Sequence, residues 1–214
     1  MEPRTILIIG DLIGVFAFAV SGALLAARLK YDIVGSLLLG GLTGLGGGIM
    51  RDVILGQPPL AFTEFWYIIV PVVATVLMYF ARSRVERQTW VLQYADACGL
   101  GLFAVVGTSK GLNYGMAPWA SVFMGLMTAI GGGVLRDVVA NVPPMVMQRE
   151  HLYAVPAFLG AALTALVSAL EARSVFSLLA CAAVVIGLRI ASIHLGWGVP
   201  PAARDKAARE RQEP

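Results

Sequence analysis

The chain has 214 residues, of which 58% are hydrophobic and only 14% are charged, and its formal net charge is +3. An ordinary soluble domain carries about 25% charged residues, so this composition excludes a domain whose whole surface is hydrated. The mean hydropathy of +0.78 indicates a protein that lies largely within a lipid bilayer.

Seven long segments of the chain contain at most one charged residue. They are residues 5–27, 33–50, 65–81, 90–109, 116–135, 152–170 and 174–188. A helix needs roughly 17–25 mostly apolar residues to cross the hydrocarbon core. Six segments meet this requirement, and the last meets it if it continues to about residue 197, with Arg189 extending towards the lipid headgroups. The sequence therefore predicts an all-α integral membrane protein with seven transmembrane helices.

Basic residues are unevenly divided between the two sides of this topology. The side with the loops at 28–32, 82–89 and 136–151 and the C-terminal tail has eleven Lys and Arg residues, whereas the opposite side has four. Because loops rich in Lys and Arg stay in the cytoplasm, we expect the N-terminus outside and the C-terminus in the cytoplasm. The tryptophans fall at span ends, as an interfacial aromatic belt requires.

The chain contains an internal repeat with an offset of 85 residues, the separation of Thr43 from Thr128. "TGLGGGIMRDV" returns as "TAIGGGVLRDV", with seven of eleven positions identical, and the same offset relates Asp11 to Asp96. A single offset that relates several separated pairs of identical residues indicates that the chain arose by duplication. The predicted units are three-helix repeats at 5–82 and 90–172, a seventh helix at 174–197 and a basic cytoplasmic tail at 198–214.

Each repeat contains three spans, an odd number, so the second repeat enters the membrane from the opposite side. Inverted repeats of this kind are related by a pseudo-two-fold axis in the membrane plane, and discontinuous helices from both halves form a solute or ion site near the midplane. The residues alone therefore predict a permeation protein with two inverted three-helix repeats and a seventh helix.

Three consecutive glycines occur twice inside the spans. They are Gly46, Gly47 and Gly48 in the second span and Gly131, Gly132 and Gly133 in the fifth. We predict that both helices break there and present backbone carbonyls to a wet, cation-attracting cavity. Thr43 and Thr128, one turn earlier, either add hydroxyl oxygens or bond back to their own helices. The alternative for the glycines is close helix packing, which the small-xxx-small spacing of Gly40, Gly44 and Gly48 favours.

Charged residues near the glycines have two interpretations. Asp11 and Asp96 lie well within spans, where carboxylates are costly and face the interior, and the pairs Arg51–Asp52 and Arg136–Asp137 directly follow the triplets. They are gates or vestibule charges at the two mouths, or salt bridges between repeats that join Arg51 to Asp96 and Arg136 to Asp11. Lys110, at the end of the fourth span, is a pore charge or a surface anchor.

Other reactive side chains predict no further chemistry. Cys98 and Cys181 lie in spans without metal-ligand spacing and are interpreted as packing residues, and His151 and His194 are interfacial polar groups at span ends. No nucleophile, base and orienting residue occur together as hydrolysis requires. We therefore expect no enzyme, no metal site, no cofactor and no nucleic-acid partner.

The doubled GGG-x-x-R-D motif, the three-span repeats, the seventh span and the basic tail resemble prokaryotic members of the TRIC family, the trimeric intracellular cation channels. The resemblance extends from residue 5 to about residue 197. It implies a homotrimer with a pore in each subunit, lined by glycine-kinked second and fifth spans and flanked by Arg51, Asp52, Arg136 and Asp137. Leu45 and Ile130 precede the triplets, so the lysine that animal members have there, with its gating role, is absent.

The resemblance further implies conduction of monovalent cations, with potassium as the physiological ion. The leading hypothesis is a passive potassium-permeable channel in the cytoplasmic membrane of a prokaryote, in contact with membrane lipid. Related bacterial sequences are also described as glycine transporters, so a secondary transporter of a small zwitterion such as glycine is the alternative. A structural membrane protein without transport is a third interpretation.

Overall fold

The computed structural model describes residues 3–85, 89–148 and 152–198. These residues form eight α-helices and one 3₁₀ turn: α1 (Pro3–Arg28), α2 (Ile33–Ile54), α3 (Leu60–Thr63), α4 (Trp66–Val85), α5 (Thr89–Asn113), α6 (Pro118–Val139), the turn Met145–Met147, α7 (Ala154–Ala169) and α8 (Val175–Leu195). His151 and the predicted tail from residue 199 onwards lie outside the described residues.

The seven long helices correspond to the seven predicted spans. Five of them, α1, α2, α5, α6 and α8, are long and apolar enough to cross a membrane, while α4 and α7 contain shorter apolar stretches of 16 residues, Trp66–Ala81 and Ala154–Ala169. The all-α fold of a multi-pass membrane protein is thus confirmed. Helix α3 and the 3₁₀ turn lie 85 residues apart, directly after the ends of α2 and α6, as the repeat requires.

Local signals fix several helix ends. The side chain of Asp32 accepts a hydrogen bond from the Gly35 amide at 2.7 Å and caps α2. Ser174 and Ser177 form a capping box at the start of α8, and α8 ends at Gly196, whose φ of 63° is in the left-handed region that glycine adopts readily. These caps limit the loops to a few residues and keep consecutive helices antiparallel.

Antiparallel helices gather their ends on two faces of the molecule. We define the N-face as the side where α1 begins, because Asp11 near that end contacts Arg51 at the end of α2 and Tyr67 at the start of α4. We define the C-face as the opposite side, where Asp96 near the start of α5 contacts Arg136 at the end of α6.

The two repeats interlock around a pair of equivalent phenylalanines. Phe18 of α1 and Phe103 of α5 are both fully buried and pack edge to face, with ring centroids 5.2 Å apart. A Cβ on Gly14 would lie 2.5 Å from the Phe103 ring, and one on Gly99 would lie 2.6 Å from the Phe18 ring. Each ring therefore occupies the space above a glycine of the other repeat, which gives the described helices one shared core.

The glycine triplets do not break their helices. Helix α2 is continuous from Ile33 to Ile54 and α6 from Pro118 to Val139, so the prediction that both unwind at the triplets is wrong. The physical reason is a close crossing of the two helices. A Cβ on Gly47 would lie 2.3 Å from the Thr128 carbonyl oxygen, and one on Gly132 would lie 2.2 Å from the Thr43 carbonyl oxygen. The close-packing alternative is confirmed here.

The threonines before the triplets use their hydroxyl groups within their own helices. Thr43 Oγ1 donates to the Leu39 carbonyl oxygen at 2.5 Å, and Thr128 Oγ1 donates to the Met124 carbonyl oxygen at 2.7 Å. Both side chains are buried. Of the two predicted roles, bonding back to the helix is therefore the one observed. It gives both buried hydroxyl groups a hydrogen-bond partner that close packing would otherwise deny them.

Replacing Gly132 with alanine should lower the free energy of unfolding by about 1–3 kcal/mol, because the methyl group overlaps the Thr43 carbonyl oxygen. Gly41→Ala on α2 is the matched control, since a Cβ there meets nothing within 4 Å. Thermal unfolding in detergent, followed by tryptophan fluorescence, compares the two variants. Equal melting temperatures would contradict the close crossing.

Candidate functional site

A buried cluster of charged side chains lies at the N-face end of α1 and α2. Arg51 binds Asp11 in a bidentate pair, with Nη1 donating to Oδ1 at 2.8 Å and Nη2 to Oδ2 at 3.1 Å. Its Nε donates to Asp52 Oδ1 at 2.7 Å. All three residues are at most 2% exposed. A bidentate guanidinium–carboxylate pair is among the stronger polar contacts in proteins, and it stabilises charges that bilayer depth would otherwise disfavour.

Three further groups complete this N-face cluster. The Tyr67 hydroxyl donates to Asp11 Oδ2 at 2.8 Å, and the Leu60 amide at the start of α3 donates to Asp52 Oδ2 at 3.1 Å. Lys110 at the end of α5 donates to Asp52 Oδ1 at 2.7 Å. Every carboxylate oxygen of the cluster thus has a donor. Lys110 therefore joins the second repeat to the first through an ion pair, and its predicted role as a pore charge stays a prediction.

An equivalent cluster lies at the C-face end of α5 and α6. Arg136 Nη1 donates to Asp96 Oδ1 at 2.7 Å, and its Nε donates to Asp137 Oδ1 at 2.7 Å. The Met145 amide donates to Asp137 Oδ2 at 2.8 Å, as Leu60 does in the first repeat. Arg136 Nη1 also contacts the Ser21 hydroxyl of α1. The repeat therefore preserves both arginine–aspartate pairs and the amide contact, but Asp96 Oδ2 lacks the two donors that Asp11 Oδ2 has.

The structure corrects the predicted pairing of these charges. Arg51 binds Asp11 and not Asp96, and Arg136 binds Asp96 and not Asp11. The reason is geometric: α2 ends on the face where α1 begins, whereas Asp96 lies near the opposite face. Two other contacts join the repeats, the ion pair of Lys110 with Asp52 and the bond of Arg136 to Ser21.

Arg189 also departs from its predicted position. It does not extend to the headgroups but is 2% exposed. Its Nη1 donates to the Leu152 carbonyl oxygen at 3.0 Å, and its guanidinium carbon lies 4.8 Å from the centroid of the Tyr153 ring. Tyr153 in turn lies beside Asp96, because a Cβ on Gly133 would lie 2.7 Å from the Tyr153 hydroxyl and 3.6 Å from Asp96 Oδ1. A buried cation stays where carboxylates and aromatic faces stabilise it, which explains the inward orientation.

Sequence reasoning missed the residues that accompany the two arginine–aspartate pairs. Tyr67, Tyr153, Ser21 and the inward role of Arg189 were not singled out. The tyrosines are 86 residues apart, one more than the repeat offset, so an alignment at 85 does not pair them. A search would have to allow one extra residue before Tyr153 and one fewer directly after it, because Pro71 and Pro156 are again 85 residues apart.

A cavity of about 660 Å³ leads inward to the N-face cluster. Its walls come from both repeats: α1 contributes Asp11, the start of α4 contributes Tyr67, and α5 contributes Val106 and Lys110. Exposed Glu64 adds a second carboxylate to the wall. The cavity thus extends to the buried carboxylate of Asp11 near the N-face end of the helical bundle.

A small void of about 10 Å³ lies against the same charges, and Gly44, Gly48 and Arg51 of α2 line part of it. This is about the smallest space that holds a single water molecule. The Asp11–Arg51–Tyr67 contacts therefore stand between a wide cavity and the glycine-rich side of α2.

Other polar groups are distributed singly over the described ranges. Cys98 and Cys181 are free thiols, and no group of three His, Cys, Asp or Glu side chains in these ranges could hold a metal ion. His194 contacts the Tyr94 hydroxyl near the C-face. In the loop before α8, Arg173 donates to Asn113 at 2.7 Å, and partial burial lowers the pKa of its guanidinium below the usual value.

The chain matches the family model described as glycine transporter over residues 8–83 and 93–169. A UPF0126 membrane protein of Deinococcus radiodurans is 41% identical over 153 residues, which are 71% of this chain and 71% of that protein. The UPF0126 inner membrane protein YadS of Escherichia coli is 36% identical over 152 residues, 70% of this chain and 73% of that protein. The crystal structure of the TRIC trimeric intracellular cation channel orthologue from Rhodobacter sphaeroides has 36% identity and a TM-score of 0.86, and the match covers 90% of this chain and 100% of that one.

Asp11→Asn should destabilise the protein by about 3–5 kcal/mol, because it leaves buried Arg51 with one carboxylate partner. Glu64→Gln changes an exposed carboxylate on the wall of the same cavity and should alter stability by no more than about 0.5 kcal/mol. Thermal unfolding in detergent measures both variants. A melting temperature for Asp11→Asn as high as that of Glu64→Gln would show that the bidentate pair contributes little.

Proposed function

Because the chain belongs to the TRIC family of trimeric intracellular cation channels, we propose that it is a cation channel of a prokaryotic inner membrane. The relative from Rhodobacter sphaeroides supports the activity, and the inner membrane protein of Escherichia coli supports the location. The arrangement of carboxylates and tyrosine hydroxyls at both faces suits a cation, since oxygen ligands replace part of its hydration shell.

The observation that carries this proposal is the cavity that ends at Asp11. It lies within a single subunit and is walled by helices of both repeats, as a pore inside each protomer requires. The proposed pathway enters at the N-face, passes Asp11 and Arg51, follows the glycine-rich sides of α2 and α6, and leaves past Asp96 and Arg136. Asp52 and Asp137 hold the arginines, Lys110 binds Asp52, and these charges flank the two mouths.

The described state suits a closed channel. Arg51 holds both oxygens of Asp11, and the backbones of α2 and α6 touch at Gly47 and Gly132. Opening then requires Arg51 to leave Asp11 and the two helices to bend or part at Gly46–Gly48 and Gly131–Gly133. Glycine favours such a movement because it stabilises the helix less than alanine does, by about 1 kcal/mol. The kinks of the TRIC resemblance would thus belong to the open state.

Assembly and orientation are parts of the same proposal. We infer a homotrimer with one pore per subunit, because the Rhodobacter sphaeroides channel is described as trimeric. The charge distribution of the loops favours the N-face outside and the C-face in the cytoplasm. Potassium is the proposed physiological ion, and membrane lipid surrounds the apolar helix faces.

A secondary transporter of a small zwitterion is the second candidate. The cavity volume of about 660 Å³ falls within the range of small-molecule sites, and its wall carries both carboxylates and the ammonium group of Lys110. A zwitterion such as glycine needs both signs of charge. In this alternative the inverted repeats would expose Asp11 and Asp96 in turn, and the glycine transporter name of the family model refers to that activity.

Purified protein in a planar bilayer with a potassium gradient should give unitary currents whose reversal potential follows that gradient. The physical reason is that a passive pore couples flow only to the electrochemical gradient of its permeant ion. Uptake of radiolabelled glycine into proteoliposomes, measured in parallel, should not exceed that of empty liposomes. Saturable glycine uptake without unitary currents would overturn the channel and favour the transporter.

Val106→Cys should make the current sensitive to a membrane-impermeant cationic thiol reagent applied at the N-face, because Val106 lines the cavity. Val105→Cys is the matched control, since its neighbour Val105 packs instead against Cys181 and Leu178. We expect a loss of most of the current for the first variant and no change for the second. Equal inhibition of both variants, or of neither, would remove the cavity from the pathway.

A further inference from the structure

The two charge clusters differ in the origin of their fourth charge. Each repeat supplies two aspartates and one arginine to its own cluster. The fourth charge at the N-face is Lys110, which comes from the other repeat. The position equivalent to Lys110 is Leu25, and it packs in an apolar cluster with Ala26, Leu39 and Ala140. The C-face cluster therefore has no equivalent lysine. Its second cation is Arg189 of α8, the helix outside the repeats, whose guanidinium carbon lies 4.8 Å from the centroid of the Tyr153 ring. The Tyr153 hydroxyl and Asp96 Oδ1 are themselves close together, because both lie within 4 Å of a Cβ placed on Gly133.

The C-face end of α8 holds Arg189 and Tyr153 in place through the backbone of Leu152. The Leu152 carbonyl oxygen accepts from Arg189, while its amide donates to Ser192 Oγ at 2.8 Å and to the Trp197 carbonyl oxygen at 2.9 Å. Both backbone groups of Leu152 are thus bound by α8 or by the residue that follows its cap. This attachment sets the Tyr153 ring beside Arg189, next to the Asp96–Arg136 pair.

The C-face cluster is also less completely paired than the N-face cluster. Four of its buried polar atoms make no hydrogen bond with the described residues: Asp96 Oδ2, Arg136 Nη2, Tyr153 Oη and Arg189 Nε. At the N-face, Asp11 and Asp52 have a donor at each oxygen. Buried polar atoms need partners, so these four have unused capacity for water, and the two oxygens, Asp96 Oδ2 and Tyr153 Oη, also have unused capacity for a cation.

We propose that Arg189 sets the charge of the C-face mouth and so determines how cation current depends on its direction. This inference rests on the proposed channel function. Asp96, Asp137, Arg136 and Arg189 carry two negative and two positive charges, so the loss of Arg189 makes this set more negative by one unit. Arg28, a further cation near Arg136 at the end of α1, is unchanged in every variant. A unit charge about 10 Å from a cation in water changes the local cation concentration about two-fold. Arg189 therefore halves the supply of cations that would otherwise approach from the C-face.

The test measures potassium current in both directions at equal and opposite voltages, in symmetrical potassium chloride, on membrane patches of known orientation. The quantity compared is the ratio of current from the C-face to current from the N-face. Arg189→Gln should raise this ratio about two-fold, and Asp96→Asn should lower it about two-fold, because their excess charges have opposite signs. Arg189→Gln combined with Asp96→Asn should return it to the wild-type value.

Arg189→Lys is the matched control for the contact with Leu152. It keeps the charge, so its current ratio should equal that of the wild type even if its melting temperature falls. A purely structural role of Arg189 would lower stability in all variants without moving the ratio in opposite directions. Should Arg189→Gln not be recovered in the membrane, Arg189→Met makes the same change of charge without leaving a buried polar group, and the two-fold rise in the ratio is expected there too.

The outcomes separate this inference from the proposed function. Absence of cation current in the wild-type protein would overturn the channel and, with it, the role of Arg189. Wild-type current with the same ratio in Arg189→Gln, Asp96→Asn and the double variant would overturn the role of Arg189 alone. Opposite shifts that cancel in the double variant are the expected result.

Discussion

Two buried arginines constrain the whole structure. A guanidinium at bilayer depth is costly unless carboxylates surround it, and Arg51 and Arg136 are 1% and 0% exposed. Each binds the aspartate that follows it and a second aspartate on the preceding long helix, Asp11 or Asp96. These contacts fix which helix ends meet. They also place the segment after each arginine, because Asp52 and Asp137 accept hydrogen bonds from the amides that begin α3 and the 3₁₀ turn.

Glycine makes the second constraint possible, namely that the two arginine-bearing helices cross in direct backbone contact. With the arginines at opposite ends, α2 and α6 run past each other, and Gly47 and Gly132 each face a carbonyl oxygen of the other helix. A contact of this kind is held by packing and weak Cα–H···O interactions, which are individually small. Of the two contacts that the proposed opening breaks, the crossing therefore costs less free energy than the Arg51–Asp11 pair.

The sequence predicted the architecture well and the contacts less well. The seven spans followed from composition and the offset of 85 from repetition, because both are properties of whole segments. The packing of Cys181 followed from its position inside an apolar span. The partner of Arg51 did not, since two aspartates in equivalent positions satisfy the same charge argument, and only the helix directions decide between them. Arg189 was misplaced for a related reason: a single arginine near a span end is typical of a headgroup contact, unless the fold puts a carboxylate behind it.

If cation current through an inverted-repeat channel depends on its direction, that dependence must come from residues that differ between the two repeats or lie outside them. An inverted duplication gives both mouths the same aspartates and arginine, and such mouths would treat cations alike from either side. Three departures from symmetry bear on the charge clusters: Lys110 stands where the first repeat has Leu25, Tyr153 is shifted by one residue relative to Tyr67, and α8 adds Arg189. The α2–α6 crossing is more nearly symmetric, because its glycine triplets repeat and the residues that differ beside them, such as Met50 and Leu135, are apolar. The two halves can therefore share one closing contact at the centre while each face acquires its own charge environment.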